Sequence, residues 1–389
     1  MNDHTQDDIK ALALKKPPEQ DWPYPLILDQ IKARQKAAKK MPDWLTFDNV
    51  VFPPADLIEQ ASSDICAHYK SSIVHGKNFV DLTGGSGMDS FALLSHFKEG
   101  ISVEHNPQAA QILEHNAAIF NFGERLSVKT MQAEDFVQTM PPVDLIYIDP
   151  QRRDEGRKGK FDLSACTPDI YALLPILRQK CRQVLLKTSP VLDIQKTIAD
   201  LKDVKEVHVV QYQGDCKELL FLLDLAQKTN PDQVRITAMA LHETNQAINT
   251  FSYTPETEKK AHAALSLPLT YIYEPDPAFQ KTGGYNTMAE KYNIYKLHPN
   301  THLYTSDDSI PDFPGRTFQL EAQCAAQKKE LKKILPGMKG NLTIRNFPST
   351  TDLLRKKLAL KDGGNVTIFA CELLDGRKAL LKCIKIQRN

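Results

Sequence analysis

No two cysteines in this chain are spaced Cys-X-X-Cys. The seven present (Cys66, Cys166, Cys181, Cys216, Cys324, Cys371 and Cys383) are scattered and odd in number. That argues against a disulfide framework and against a cysteine zinc site, and it fits buried reduced thiols with no metal. No hydrophobic run is long enough to span a membrane, so no membrane partner is expected. The opening residues, MNDHTQDDIK, lack the basic and apolar regions of a secretory signal, and a cytoplasmic location is expected. Internal repeats and low-complexity tracts are also missing, which excludes solenoid and fibrous architectures. Neither sign of charge dominates, with 49 Lys+Arg against 48 Asp+Glu and a net charge of +1.

What remains is an ordinary globular composition, 41% hydrophobic and 25% charged over 389 residues, long enough for two or three domains. The balanced total conceals an asymmetry. From Pro311 onward there are 16 basic and 7 acidic side chains, a net of +9, so the preceding 310 residues carry −8. A basic C-terminal end points to a polyanionic partner or to a well-solvated surface.

Residues 1–70 read as an N-terminal helical segment, with the amphipathic LILDQIKARQKAAKK and a second helix in IEQASSDICAHYKSSI. From 71 to 228 short apolar runs alternate with helical stretches: NFVDLT, GISVEH, LSVKTM, VDLIYID, RQVLLKT, EVHVVQY and KELLFLLDL. Such runs suit strands buried on both faces, and their alternation predicts an α/β fold, a Rossmann-like parallel sheet of seven strands ending in a hairpin at one edge. Residues 229–310 read as a small α+β unit with a helix from about Pro277 to Glu290. Residues 311–389 read as a second, basic one that begins with a helix over TFQLEAQCAAQKKELKKILP.

The first strand runs through Asp81 and Thr83 into Gly84, Gly85, Ser86 and Gly87 before a helix. Glycines there let the backbone approach a ligand closely, and the helix behind them offers free N–H groups. Glu104 ends the second strand 17 residues after Gly87, where a carboxylate can accept both hydroxyls of a ribose. The Lys-Ser/Thr ending of a phosphate-binding loop is missing, and Asp81 would repel a pyrophosphate but accept an ammonium group. A ligand with an ammonium end and an adenosine end meets both demands, and S-adenosylmethionine is the expected cofactor, ahead of another nucleotide. The loop after the third strand, with Gln132, Ala133, Glu134 and Asp135, lies where adenine is expected, its amine taken by one of the polar three.

The fourth strand ends in Asp149-Pro150. The proline fixes the chain, leaving the carboxylate to hold an amine or ring nitrogen toward the methyl group. Five basic residues follow within nine positions (Arg152, Arg153, Arg157, Lys158, Lys160), as a phosphodiester backbone would require or as an ordinary surface loop would allow. Lys187, after the fifth strand, either faces the cleft or caps a loop. Tyr271, Tyr273, Tyr285, Tyr292 and Tyr295 read as stacking platforms for bases or as core residues.

Assembled, these residues resemble the class I S-adenosylmethionine-dependent methyltransferases. Over about residues 25–389 the chain resembles one bacterial family among them, which carries a C-terminal THUMP-like domain. The segments that carry this resemblance are EQASSDICAHYK, VDLTGGSGMD, DPQRRD, LLKTSP, CKELLF, YEPDPAFQKTGGY, DFPGRTF and LRKKLALKDGGNVTIFACELLDGRK. The resemblance implies a Rossmann-like catalytic domain, a ferredoxin-like unit and a THUMP-like unit, and it implies RNA (ribosomal or transfer) as substrate. Cofactor binding is expected of Asp81, Thr83, Gly84, Gly85, Gly87, Glu104, Gln132 and Ala133. Catalysis is expected of Asp149 and Pro150, and substrate binding of Arg152, Arg153, Arg157 and Lys187. Thr83 stands where most class I enzymes have a glycine, and Gln151-Arg152 replaces the proline and aromatic residue of amine-directed enzymes. Two alternatives stay open: an RNA-binding protein on a passive methyltransferase scaffold, and a protein or small-molecule methyltransferase.

Overall fold

The computed structural model describes residues 7–15, 23–152, 163–242 and 247–387. They form two compact units. The first runs to Val207 and takes in Glu218–Pro231 and Leu241–Gln246; the second holds His208–Lys217, Asp232–Ala240 and Ala247–Asn389.

The first unit opens with helices α1 (Ile9–Ala13), α2 (Tyr24–Lys40), α3 (Ala55–Gln60) and α4 (Asp64–Ser72). Prolines mark the start of α2, and Ser63 caps α4 by accepting the Cys66 amide at 3.3 Å. Trp44, after α2, packs against Phe91 and Phe120 at ring-centroid distances of 5.7 and 5.0 Å, which pins the helical segment to the α/β core. Strands and helices then alternate: β1 (Asn78–Asp81), α5 (Met88–Leu93), β2 (Glu99–Glu104), α6 (Pro107–Ile119), β3 (Leu126–Thr130), α7 (Ala133–Thr139) and β4 (Val143–Ile148). A short pair, β5 (Gln151–Arg152) and β6 (Cys166–Thr167), precedes α8 (Ile170–Lys180), β7 (Cys181–Thr188), α9 (Ile194–Leu201), β8 (Val204–Tyr212) and β9 (Asp215–Asp224).

The hydrogen-bonded order is β3-β2-β1-β4-β7-β9-β8. Pairing is parallel from β3 through β7, and β9 enters antiparallel to β7. Strands β4, β7 and β9 are buried along most of their length, as their unbroken apolar runs require. The order reverses at β1, between β2 and β4, and a ligand cleft belongs at the carboxyl ends of these strands.

The second unit contains the tip of the β8–β9 hairpin. Strand β10 (Arg235–Leu241) pairs with β8, and β11 (Ala247–Tyr253) with β10. Then follow α10 (Pro255–Lys260), β12 (Tyr271–Pro275), α11 (Pro277–Thr282), α12 (Tyr285–Tyr292), β13 (Tyr295–His298), β14 (Thr301–Ser306), β15 (Gly315–Ala325), α13 (Lys328–Ile334), β16 (Asn341–Arg345), α14 (Thr351–Leu358), β17 (Val366–Glu372) and β18 (Lys378–Lys385). One seven-stranded sheet, ordered β13-β14-β12-β15-β18-β17-β16, runs through this stretch. Buried Glu274 on β12 accepts Arg345 Nη2 at 2.5 Å and also bonds Arg316.

Three sequence expectations change here. The helix expected over Thr317–Pro336 is the strand β15 up to Ala325 and helix α13 only from Lys328. Alanine and glutamine favour helix locally, but β12 and β18 offer this segment a ladder on both sides, and tertiary pairing overrides a weak propensity. The helix expected over Pro277–Glu290 is split at Gly283-Gly284 into α11 and α12. Strands β11, β13 and β14 are additions to the two strands expected in this stretch.

Five of the cysteines are buried and none forms a disulfide; burial pushes the Cys66 thiol up to about 11. Among the described residues no helix is long and apolar enough to cross a membrane, and no group of three or more His, Cys, Asp or Glu side chains is placed to hold a metal ion. Phe369 is fully buried and meets Phe318 edge-on at 5.0 Å. Phe369→Ala is expected to destabilise the second unit by about 3–5 kcal/mol, read as a lowered thermal transition, because the cavity cannot close around a missing ring.

Candidate active site

A cleft of about 580 Å³ opens at the ends of β1, β2, β3 and β4, with Pro54 and Leu57 on one wall. Its floor is the glycine-rich turn. The Gly84 amide bonds Val103 O at 2.8 Å, and a Cβ on Gly84 would stand 2.5 Å from Ser102 Oγ. Only glycine allows β1 and β2 to approach this closely. Gly85 and Gly87 sit at φ +52° and +86°, a region that L side chains rarely adopt.

Thr83 and Asp81 organise this turn. Asp81 is buried and does not line the cleft. Its Oδ1 accepts from the Thr83 amide at 2.9 Å and from Thr83 Oγ1 at 3.2 Å, and its Oδ2 accepts from Ser90 Oγ at 2.6 Å. Thr83 Oγ1 in turn accepts the Asp149 amide at 2.9 Å, so one hydroxyl joins the turn after β1 to the end of β4. Burial, only partly offset by the Ser90 and Thr83 hydrogen bonds, raises the Asp81 carboxyl to about 7.

Glu104 does line the cleft, although its side chain is only 8% exposed. Its oxygens accept the Gly85 and Asn106 amides, each at 2.8 Å. A carboxylate has about two acceptor sites on each oxygen; Oε1 also faces His105 Nδ1 at 3.2 Å, while Oε2, bonded among the described residues to Gly85 alone, retains capacity for a ligand. Gln132, Ala133 and Glu134 also line the cleft, while Asp135 does not.

Across the cleft stands Asp149, whose side chain is 31% exposed, hydrogen-bonded to Lys187. Buried Pro150 follows it. Lys187 lies behind Asp149 and is not part of the lining. Burial works to lower its pKa, but the carboxylates of Asp149, Asp89 and Glu218 outweigh burial and hold the ammonium above its usual value. Behind it lies Lys70, 1% exposed, with Nζ at 3.0 and 2.9 Å from the two Glu218 oxygens and 2.8 Å from Ser62 Oγ. Asp89 Oδ1 is 3.1 Å from the same ammonium, and Asp89 Oδ2 accepts from Ser62 Oγ at 3.0 Å and from Tyr147 OH at 2.8 Å.

Arg152 sits at the rim on β5; Arg153 and Arg157 lie outside the described residues. Of the sequence-derived candidates, the cleft therefore gathers Thr83, Gly85, Glu104, Gln132, Ala133, Asp149 and Arg152. Asp81, Gly84, Gly87, Pro150 and Lys187 stand behind them.

In the second unit Tyr273 is fully buried. Tyr285 stacks on His302 at 3.5 Å and Tyr292 packs edge-on against Phe313, while Tyr295 is 42% exposed.

A family described as conserved hypothetical protein 95 matches residues 46–158, a ferredoxin-like domain 271–314 and a THUMP domain-like family 315–385. The crystal structure of a "putative methyltransferase" from Porphyromonas gingivalis W83 is 30% identical over 99% of this chain and 96% of its own, with a TM-score of 0.87. The chain belongs to the class I methyltransferase family with a C-terminal THUMP-like domain. M. capricolum TrmK in complex with S-adenosyl-homocysteine is 11% identical over 42% of this chain and 70% of its own, with a TM-score of 0.33. The RNA methyltransferase candidate PH1948 from Pyrococcus horikoshii is 19% identical over 41% and 78%, with a TM-score of 0.30. No curated protein matches.

In this methyltransferase five of the segments that carry the family resemblance converge on one place. EQASSDICAHYK supplies Ser62 and Lys70, VDLTGGSGMD supplies Asp81, Thr83 and Asp89, DPQRRD supplies Asp149, LLKTSP supplies Lys187 and CKELLF supplies Glu218. Lys70, Asp89 and Tyr147, which meet in this buried cluster, were not singled out in the sequence. For Tyr147 the available signal was a hydroxylated residue inside the otherwise apolar run VDLIYID; Lys70 and Asp89 stand in polar stretches that offer none.

Asp81 binds a proton more tightly when folded than when unfolded. Its protonated form therefore adds stability at low pH that drains away as pH rises from 3.8 to about 7. Measured by denaturation, the stability of the wild type relative to Asp81→Asn is expected to fall across that window and to level off above it. A difference that stays flat with pH would refute this.

Proposed function

We propose that this chain is an S-adenosylmethionine-dependent methyltransferase that modifies a nitrogen of an RNA base in the cytoplasm. The observation that carries this reading is the cleft itself, with the Glu104 carboxylate and the bare Gly85 backbone on the cofactor side and the Asp149 carboxylate opposite. The residues present fit the cofactor. Glu104 has acceptor sites for a ribose diol, and Val103, Met131 and Ala133 offer an apolar slot for a flat ring. Gln132 and Glu134 stand beside that slot for an exocyclic amine. Asp81 takes part through Thr83, whose amide and hydroxyl it fixes.

When bound, S-adenosylmethionine supplies a methyl group on a sulfonium centre that is already a good leaving group. The chain's own task is then orientation. The Asp149 carboxylate accepts a hydrogen bond from the acceptor nitrogen and turns its lone pair into the cleft. Lys187 holds that carboxylate from behind, and Pro150 fixes the backbone after it.

RNA as acceptor is supported by the THUMP-like family match over residues 315–385 and by the distribution of basic side chains. Arg152 lies at the cleft rim. In the second unit, Leu331 of α13 and Leu354 and Leu358 of α14 join one buried cluster. The same helices carry Lys328, Lys329, Lys332, Lys356 and Lys357, all exposed. Two adjacent basic helices of this kind suit a phosphodiester backbone.

The test is to incubate the protein with methyl-labelled S-adenosylmethionine and total RNA and protein from a source strain lacking the gene. Label is expected in one RNA size class. Label in protein, or in no fraction despite measurable cofactor binding, overturns the reading. Asp149→Ala is expected to reduce transfer about 100-fold or more while cofactor affinity, measured by calorimetry, stays near the wild-type value. RNA affinity is expected to fall linearly with log salt, and Lys356→Gln combined with Lys357→Gln is expected to lower that slope by about one to two.

A further inference from the structure

We propose that Lys70 is a positioning residue for the acceptor-side carboxylate: by occupying Asp89 and Glu218 it leaves the Lys187 ammonium to Asp149. The proposal rests on the reading that Asp149 faces the acceptor. It adds a role for a residue that lines no part of the cleft.

Five charged groups from five separate segments meet here: Lys70 on α4, Asp89 on α5, Asp149 after β4, Lys187 on β7 and Glu218 on β9. Removing such groups from water is costly, and a fold that needed only packing would place apolar side chains there. Lys70 contacts Ser62, both Glu218 oxygens and Asp89 Oδ1, and it is enclosed on all sides at 1% exposure. Its charge therefore acts on its neighbours alone.

The charge count shows what it does for them. Three carboxylates share two ammonium groups. Lys70 lies against Asp89 and Glu218, whose side chains are 14% and 3% exposed, and Lys187 bonds Asp149. Without Lys70, two buried anions lose a counter-charge, and among the described residues the other cation that acts on both is Lys187. Attraction in a low-dielectric interior is strong, so Lys187 turns inward and Asp149 loses the partner that fixes its direction at the cleft. A methionine at position 70 would fill much the same space, so a purely packing role predicts little change at Asp149.

The experiment uses the full chain labelled at lysine Nζ and aspartate Cγ, with the hydrogen-bond scalar coupling between Lys187 and Asp149 read by NMR. Assignment comes from Lys187→Met. The coupling is expected in the wild type, absent in Lys70→Met and restored in Lys70→Met/Glu218→Gln, which removes one competing anion together with the cation. If Lys70→Met does not fold, Lys70→Gln, which keeps a polar head without the charge, is read in its place. Persistence of the coupling in the single variant, or its loss in both single and double variants, overturns the proposal.

Methyl transfer provides the second readout. The single variant is expected to lose about tenfold or more in kcat with KM and cofactor affinity within about twofold, and the double variant to recover most of the loss. If the wild type transfers no methyl group to RNA, the functional reading fails while the NMR comparison still decides the role of Lys70.

Discussion

The hydroxyl of Thr83 accepts the Asp149 amide proton at 2.9 Å and turns its own proton toward Asp81. The ends of β1 and β4 are the two sides of the point where strand order reverses, and this hydroxyl spans them. The glycine-rich turn and the acidic turn opposite are thereby held at a fixed separation, and the cleft takes its width from that separation. The Leu82 amide repeats the link at backbone level through Tyr147 O at 3.0 Å. A glycine at position 83, as in most class I enzymes, could make no side-chain bond of this kind. The apparent departure at this position is a strut.

Behind the strut the site is layered by polarity. The exposed layer contains Glu104, Gln132 and Asp149, groups with acceptor capacity turned to the cleft. The next contains Asp81, Ser90 and Lys187. The innermost contains Lys70, Asp89 and Glu218, which contact one another through the Lys70 ammonium. Electrostatic strength rises inward as water is excluded, so the deepest charges have most influence on how the outer ones point.

The α/β alternation and the position of the turn were legible because each rests on local patterns: apolar runs, a glycine cluster, an acid at a strand end. Glu104 was readable for the same reason. Lys70 and Asp89 were not, because their partners are distant in sequence; Lys70 and Glu218 are 148 positions apart, and only folding makes them neighbours. Strand β15 was misread through the same gap, since the composition of Thr317–Ala325 favours helix and only the two flanking strands make it a ladder. Asp81 presented a third kind of difficulty. Its position before the glycines was plain, but the inward direction of its carboxylate depends on Thr83 and Ser90 taking its lone pairs.

Strand β15 lies between β12 and β18 in the second unit's sheet, while the ferredoxin-like family match ends at 314 and the THUMP-like match begins at 315. The seam between these two recognised modules is thus a line of backbone hydrogen bonds inside one sheet. A fragment ending at 314 would leave β12 with an open edge and Glu274, now bonded to Arg316 and Arg345, as a buried anion without a counter-charge. An open edge recruits foreign strands. For expression or dissection, the two modules behave as one inseparable piece.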